Sequence, residues 1–178
     1  FDACGYPWAN LSNTPFRLFK HWTMEGGIAT PFIAHWPKKI KNRQIDTKNV
    51  GHVIDLMATC VDIADADYPG QYKGNKIKEM EGMSLAKLWE GNDFPDRVLY
   101  WEHEGNWAIR AGKWKLVNSF KSHGKVYDKN ELYNLEEDRV ESNNLAAKYP
   151  EKVAELKKKY EKWSNEVGVY DFYRKQGL

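Results

Sequence analysis

Apolar and polar positions follow two rhythms along this chain, and each predicts a different kind of element. Between Gly51 and Ala66, the residues Val53, Leu56, Met57, Cys60, Val61 and Ala64 recur every three to four positions, with Ile54 and Ile63 beside them. That spacing predicts a largely buried helix, with Cys60 as a small core residue and Asp55 and Asp62 as capping or surface groups. Val153, Leu156, Tyr160, Trp163 and Val167 repeat the rhythm after Tyr149 and Pro150. They predict a helix covering one face of a sheet, with Lys157, Lys158 and Lys159 on its solvated side.

Shorter runs have strand character. Residues 28–36 are rich in β-branched and aromatic side chains and stop at Pro37. They predict a buried strand preceded by a tight turn at Glu25, Gly26 and Gly27, whose glycines let a ligand approach the main chain. Residues 98–101, 107–110 and 113–117 have the spacing of an antiparallel meander, with 131–135 as a last strand or turn. Residues 84–89 read as a short helix with Ser84 at its N-cap and Gly91 as its stop. Residues 1–19, rich in Gly, Pro, Asn and Ser, read as a surface loop, and 38–49 as a polar, solvated connection. Pro69, Gly70 and Gly74 among charges mark 67–78 as an exposed linker at a subdomain boundary.

Composition narrows the function classes. At 178 residues and 42% hydrophobic content the chain can bury a core. A net charge of +2, with basic and acidic residues interleaved, argues against nucleic-acid binding, and no apolar run is long enough for a membrane span. The eight Trp read mainly as packing residues, and two cysteines make neither a disulfide framework nor a metal site. What remains is a lone cation, Lys20, close before a Glu-Gly-Gly turn, which points to an anion site at a strand edge.

The series Lys20-x(4)-Glu25-Gly26-Gly27-x(3)-Pro31-x(4)-Trp36-Pro37 resembles the second signature region of the type I, formylglycine-dependent sulfatases of the alkaline phosphatase superfamily. Gly51-His52-Val53-Ile54-Asp55-Leu56-Met57-Ala58-Thr59, Glu81-Gly82-Met83-Ser84-Leu85 and Trp101-Glu102-His103-Glu104-Gly105-Asn106 follow in the same order. Gly112-Lys113-Trp114-Lys115-Leu116 and Glu131-Leu132-Tyr133-Asn134-Leu135 complete the match. The resemblance implies an α/β fold: the end of a sulfatase-type α/β sandwich domain over residues 1–70, a linker and short helix over 71–97, and a small α+β subdomain over 98–178 with an antiparallel sheet and a C-terminal helix.

The resemblance also implies chemistry. Sulfate monoesters would be hydrolysed to an alcohol or phenol plus sulfate by a formylglycine nucleophile activated by a divalent cation, commonly calcium. Lys20 matches the lysine that binds sulfate near the bridging oxygen, and His103 and Asn106 are candidate substrate contacts at the pocket rim. Arg110 is either a substrate contact or half of a buried ion pair, Glu25 orients the turn or caps backbone donors, and His21, His35 and His52 are packing residues. The Cys/Ser-x-Pro-x-Arg nucleophile motif fits neither Cys4 nor Cys60, Asn13-Thr14-Pro15-Phe16-Arg17 has Asn where the oxidised residue belongs, and Asp2 is followed by Ala3 rather than a second metal aspartate. The chain therefore resembles the carboxyl-terminal part of a sulfatase, without metal ligands of its own and with an amino-terminal part as its missing partner. A sulfated small molecule or glycan is the expected ligand, and a periplasmic or secreted location is the family expectation. Two other readings stay open: an inactive anion- or glycan-binding fragment or degenerate homologue, and a phosphodiesterase or phosphatase relative.

Overall fold

The computed structural model describes residues 5–41, 45–122 and 125–169. In chain order these form α1 (Gly5–Leu11), a helical turn α2 (Glu25–Ile28), α3 (Ile54–Ile63), β1 (Gln71–Tyr72), β2 (Asn75–Lys76), α4 (Ala86–Trp89), β3 (Val98–His103), β4 (Asn106–Ala111), β5 (Trp114–Ser122), β6 (Lys125–Asn134) and α5 (Pro150–Val167). Two compact units result, one of residues up to Pro31 together with Asp96 onward, the other Phe32–Pro95. The boundary expected near residue 70 falls inside the second unit, and the segment around Lys20 packs with the C-terminal sheet instead. Among the described residues no helix is long and apolar enough to cross a membrane.

The sheet of the first unit is the expected meander, with order β3-β4-β5-β6 and every pair antiparallel. Its first hairpin turns at Glu104 and Gly105, both at positive φ (50° and 81°), which matches the right-handed twist of the flanking strands. Alternation along the strands then sorts side chains onto two faces. Ile109, Leu116 and Leu132 face α5 and pack against Leu156 and Tyr160. Trp107 stacks on Tyr160 with ring centroids 4.1 Å apart, and Tyr100 on Trp163 at 4.7 Å. Aromatic packing thus accounts for much of the Trp content. Gly168, left-handed at φ 71°, closes α5 by donating its N–H to the Ser164 carbonyl. The opposite face carries Ala108, Val117, Tyr133 and Leu135, covered by Met24.

Several elements depart from the sequence pattern. No strand forms over 28–36: α2 ends at Ile28, the segment beyond pairs with none of the described strands, and Phe32 and Ile33 are exposed. Strands are stabilised by cross-strand neighbours, which are lacking there among the described residues. Part of the expected loop 1–19 is helix α1, because Asn10 and Asn13 act as backbone partners: Leu18 donates its N–H to Asn10 Oδ1 at 2.8 Å, and Asn13 donates to the carbonyls of Ala9 and Leu18. The linker 67–78 contains the β1–β2 hairpin.

In the second unit, α3 buries the face opposite to the one its apolar stripe predicts. Asp55, Ala58 and Thr59 are buried, whereas Val53, Leu56, Met57, Ile63 and Cys60 are exposed. Asp55 takes the N–H of His52 at 2.7 Å and that of Met83 at 2.9 Å, and Thr59 Oγ1 takes that of Leu85 at 2.9 Å. These partners make it possible to bury the polar groups. A Cβ on Gly82 would lie 2.1 Å from the Ile54 carbonyl oxygen, so Gly82 permits this contact between two of the quoted motifs. Asp62 instead pairs with the Ser84 hydroxyl, Ser84 Oγ takes the Ala86 N–H as expected of a cap, and His35 is exposed rather than packed.

Candidate functional site

Lys20 and His21 stand on a loop pinched between Arg17 and Gly26. The Gly26 N–H, in the first turn of α2, donates to the Arg17 carbonyl at 3.0 Å. A Cβ on Gly26 would lie 2.1 Å from the Arg17 oxygen, and one on Gly27 2.0 Å from the Trp22 oxygen. The close approach that the glycines were expected to allow is therefore made by the chain's own backbone. Gly26→Ala is expected to cost about 3 kcal/mol, the upper end of overpacking penalties, because backbone cannot rotate out of the way as a side chain can. Thermal unfolding checks this.

Beneath the loop lies a buried cluster of charges. Alternation on β5 puts Lys115 on the loop-facing side, fully buried, with Nζ 2.7 Å from Glu25 Oε1 and 2.8 Å from Glu141 Oε1. Glu25 thus ties the turn to the sheet. Its own N–H donates to Glu141 Oε2 at 2.7 Å. The Arg17 guanidinium donates to the Glu141 backbone carbonyl and to Tyr133 Oη, the latter at 3.0 Å. Glu141 sits at φ 57°, a left-handed conformation in which its backbone and side chain serve both ends of the loop. Burial raises the Glu141 carboxyl above its usual range, against the opposing pull of Lys115. Burial, helped by Glu131 and opposed by Arg17, pushes the Tyr133 phenol up to about 12.

The hairpin β3–β4 meets the loop at its exposed end. His21 Nδ1 lies 3.0 Å from Glu104 Oε2, and the His21 and His103 rings meet edge to face with centroids 5.6 Å apart. His21, expected to be a packing residue, is thus part of the group, and its φ of 95° is strained for a non-glycine residue. Asn106 is corrected in the opposite sense. It is fully buried, and its amide donates to the carbonyls of His21 (3.4 Å) and His103 (3.3 Å), so it braces the site from within instead of touching substrate. Arg110 shares the loop-facing side of the sheet, donates to the Gly112 carbonyl at 3.2 Å and is half-buried near Glu25.

His21, His103 and Glu104 can bring one ligand atom each within 4.8 Å of one another. Two imidazole nitrogens and one carboxylate suit a zinc-like ion; calcium takes a shell of oxygens, which this group does not offer. These residues do not fit calcium. Cys60 is on α3, and Cys4 and Asp2 lie outside the described residues. Asn13 and Arg17, which imitate part of a nucleophile motif, are hydrogen-bonded structural residues.

A four-stranded antiparallel sheet, backed by one helix and presenting a lysine beside a histidine pair, defines a small α+β subdomain. Residues 16–166 match the family described as N-sulphoglucosamine sulphohydrolase, C-terminal, and the chain belongs to that family of sulfatase C-terminal domains. It is 32% identical over 150 residues to a sulfatase of Formosa agariphila, covering 78% of this chain and 26% of that protein. It is 31% identical over 173 residues to an uncharacterized sulfatase of Schizosaccharomyces pombe, covering 93% and 30%. The crystal structure of Ps i-CgsB shares the fold, with a TM-score of 0.60 and 20% identity over 85% of this chain and 32% of that one. The chain spans under a third of the length of these curated relatives.

Proposed function

We propose that this chain is the carboxyl-terminal part of a sulfuric ester hydrolase and contributes Lys20 and His103 to the binding of a sulfated sugar. The observation that carries this reading is the meeting of the Lys20 loop with the His103 hairpin, through His21 and Glu104. Lys20 is exposed at that meeting point. Its ammonium neutralises the sulfate oxygens and the charge that builds on the leaving oxygen, and a preorganised cation does this better than water. His103 donates a hydrogen bond to a sulfate or sugar oxygen. The nucleophile, and any metal that activates it, come from other segments of the whole protein. The sugar assignment draws on relatives named N-acetylgalactosamine-6-sulfatase, from dog, and ulvan-active sulfatase, from Formosa agariphila.

The test is to assay the whole protein on sulfated sugars and on matching phosphate esters. Sulfate ester turnover is expected. A preference for phosphate esters would move the protein to the phosphatase relatives, and tight glycan binding without turnover would make it a binding protein. In the same assay His103→Ala is expected to raise KM about tenfold, the loss of roughly 1.5 kcal/mol from one hydrogen bond to a charged group. Its melting temperature should barely change, since His103 is exposed. A large drop in melting temperature with unchanged kinetics would make His103 a structural turn residue.

A further inference from the structure

Glu141 holds the loop of residues 17–26 at both ends. Its backbone carbonyl takes the Arg17 guanidinium at one end, and its carboxylate takes the Glu25 N–H at the other. Lys115, near the start of β5, ties Glu25 and Glu141 to the sheet. Ten residues are thereby closed into a ring whose exposed side carries Lys20 and His21. Three buried charges are a poor way to gain stability, because the cost of removing ions from water offsets most of their attraction, and apolar residues of similar size usually do as well. What charges add is direction: an ion pair holds its partners at set positions, whereas an apolar contact tolerates sliding.

We propose that Glu25, Lys115 and Glu141 form a positioning clamp that fixes the loop so that Lys20 meets an anionic ligand already in place. The proposal rests on the reading of Lys20 as the sulfate-binding cation. It assigns no contact with substrate to the three residues; they act through the loop. A preset loop spares the ligand the entropy of ordering ten residues, which an unfastened loop would subtract from affinity.

The experiment compares this chain with a neutral version carrying Glu25→Gln, Lys115→Met and Glu141→Gln. The two introduced amides can bond to each other, and the one at position 141 retains an acceptor for the backbone N–H at position 25. Three quantities are read: melting temperature, amide hydrogen exchange in residues 17–26 against that in the sheet, and affinity for inorganic sulfate, with Lys20→Ala as the control. The clamp predicts a melting temperature within a few degrees of the parent, at least tenfold faster exchange in the loop alone, and about tenfold weaker sulfate binding. Unchanged loop exchange in a folded neutral variant overturns the proposal, as does a loosened loop with undiminished affinity. If the neutral variant does not fold, Tyr133→Phe, which removes only a hydroxyl bonded to Arg17, carries the test; it should speed loop exchange and weaken sulfate binding about threefold, and no change in either overturns the clamp. Sulfate binding that ignores Lys20→Ala in the parent chain defeats the reading of Lys20, while loop exchange still decides on the clamp.

Discussion

Lys115→Met alone is expected to lower the unfolding free energy by about 3–5 kcal/mol, the usual penalty for removing one member of a buried charge cluster. Methionine fills the space of the lysine stem, so the cost comes from Glu25 and Glu141 facing each other without a cation. That is a large part of the ~5–15 kcal/mol that holds a typical domain together. The exposed neighbour Lys113 serves as the control, with an expected change within about 0.5 kcal/mol. The pH dependence follows from the sign of the Glu141 shift. Its folded carboxyl titrates above the ordinary range because burial penalises the charged form. The protonated form is therefore favoured by folding, and that contribution is complete below the ordinary glutamate pKa and lost as pH rises through the raised one. In Lys115→Met the burial penalty is unopposed by the cation, so acidification across that window should recover stability. Denaturant unfolding at several pH values checks both parts; a variant as stable as the parent at neutral pH would mean that Lys115 does not balance the carboxylates.

Lys20→Ala in the whole protein is expected to reduce turnover of a sulfate ester about 100- to 1000-fold, the range seen when one preorganised charge stabiliser is removed. Stability should change by less than about 0.5 kcal/mol, because the side chain is exposed. The two lysines are thus expected to separate: Lys20→Ala should act on turnover and not on melting, Lys115→Met on melting. Turnover near that of the parent in Lys20→Ala would remove this residue from the mechanism.

The sheet and α5 were legible because their signals are local. Alternation and a three-to-four-residue repeat each lie within a few positions of themselves, and the structure keeps both. The strand expected over 28–36 was not legible, since apolar content shows that a segment can pair but not whether a partner is present. The stripe of α3 misled for a related reason: the hydrogen bonds that bury Asp55 and Thr59 come from Met83 and Leu85, far along the chain. At the site, motifs point to Lys20 and His103, whereas the sequence suggests packing for His21, which contacts Glu104, and an exposed contact for Asn106, which is buried. Lys115 had left a trace, a lysine at an inward-facing position of a central strand, which calls for a buried counter-charge. Glu141 left none, because its partners are Lys115, Glu25 and Arg17 and no local pattern connects them.

The closure of Glu25 on Glu141 spans 116 positions of sequence. A contact of that range has to be preceded by the strands that bring its halves together, since the entropy of joining distant segments is lost before the contact repays it. The hairpins β3–β4 and β4–β5, with their short connections, are free to assemble first and to receive the loop afterwards. The loop that carries Lys20 is then expected to take its shape only after the sheet that receives it. A chain caught on the way would already have a sheet, but not yet the loop that presents Lys20.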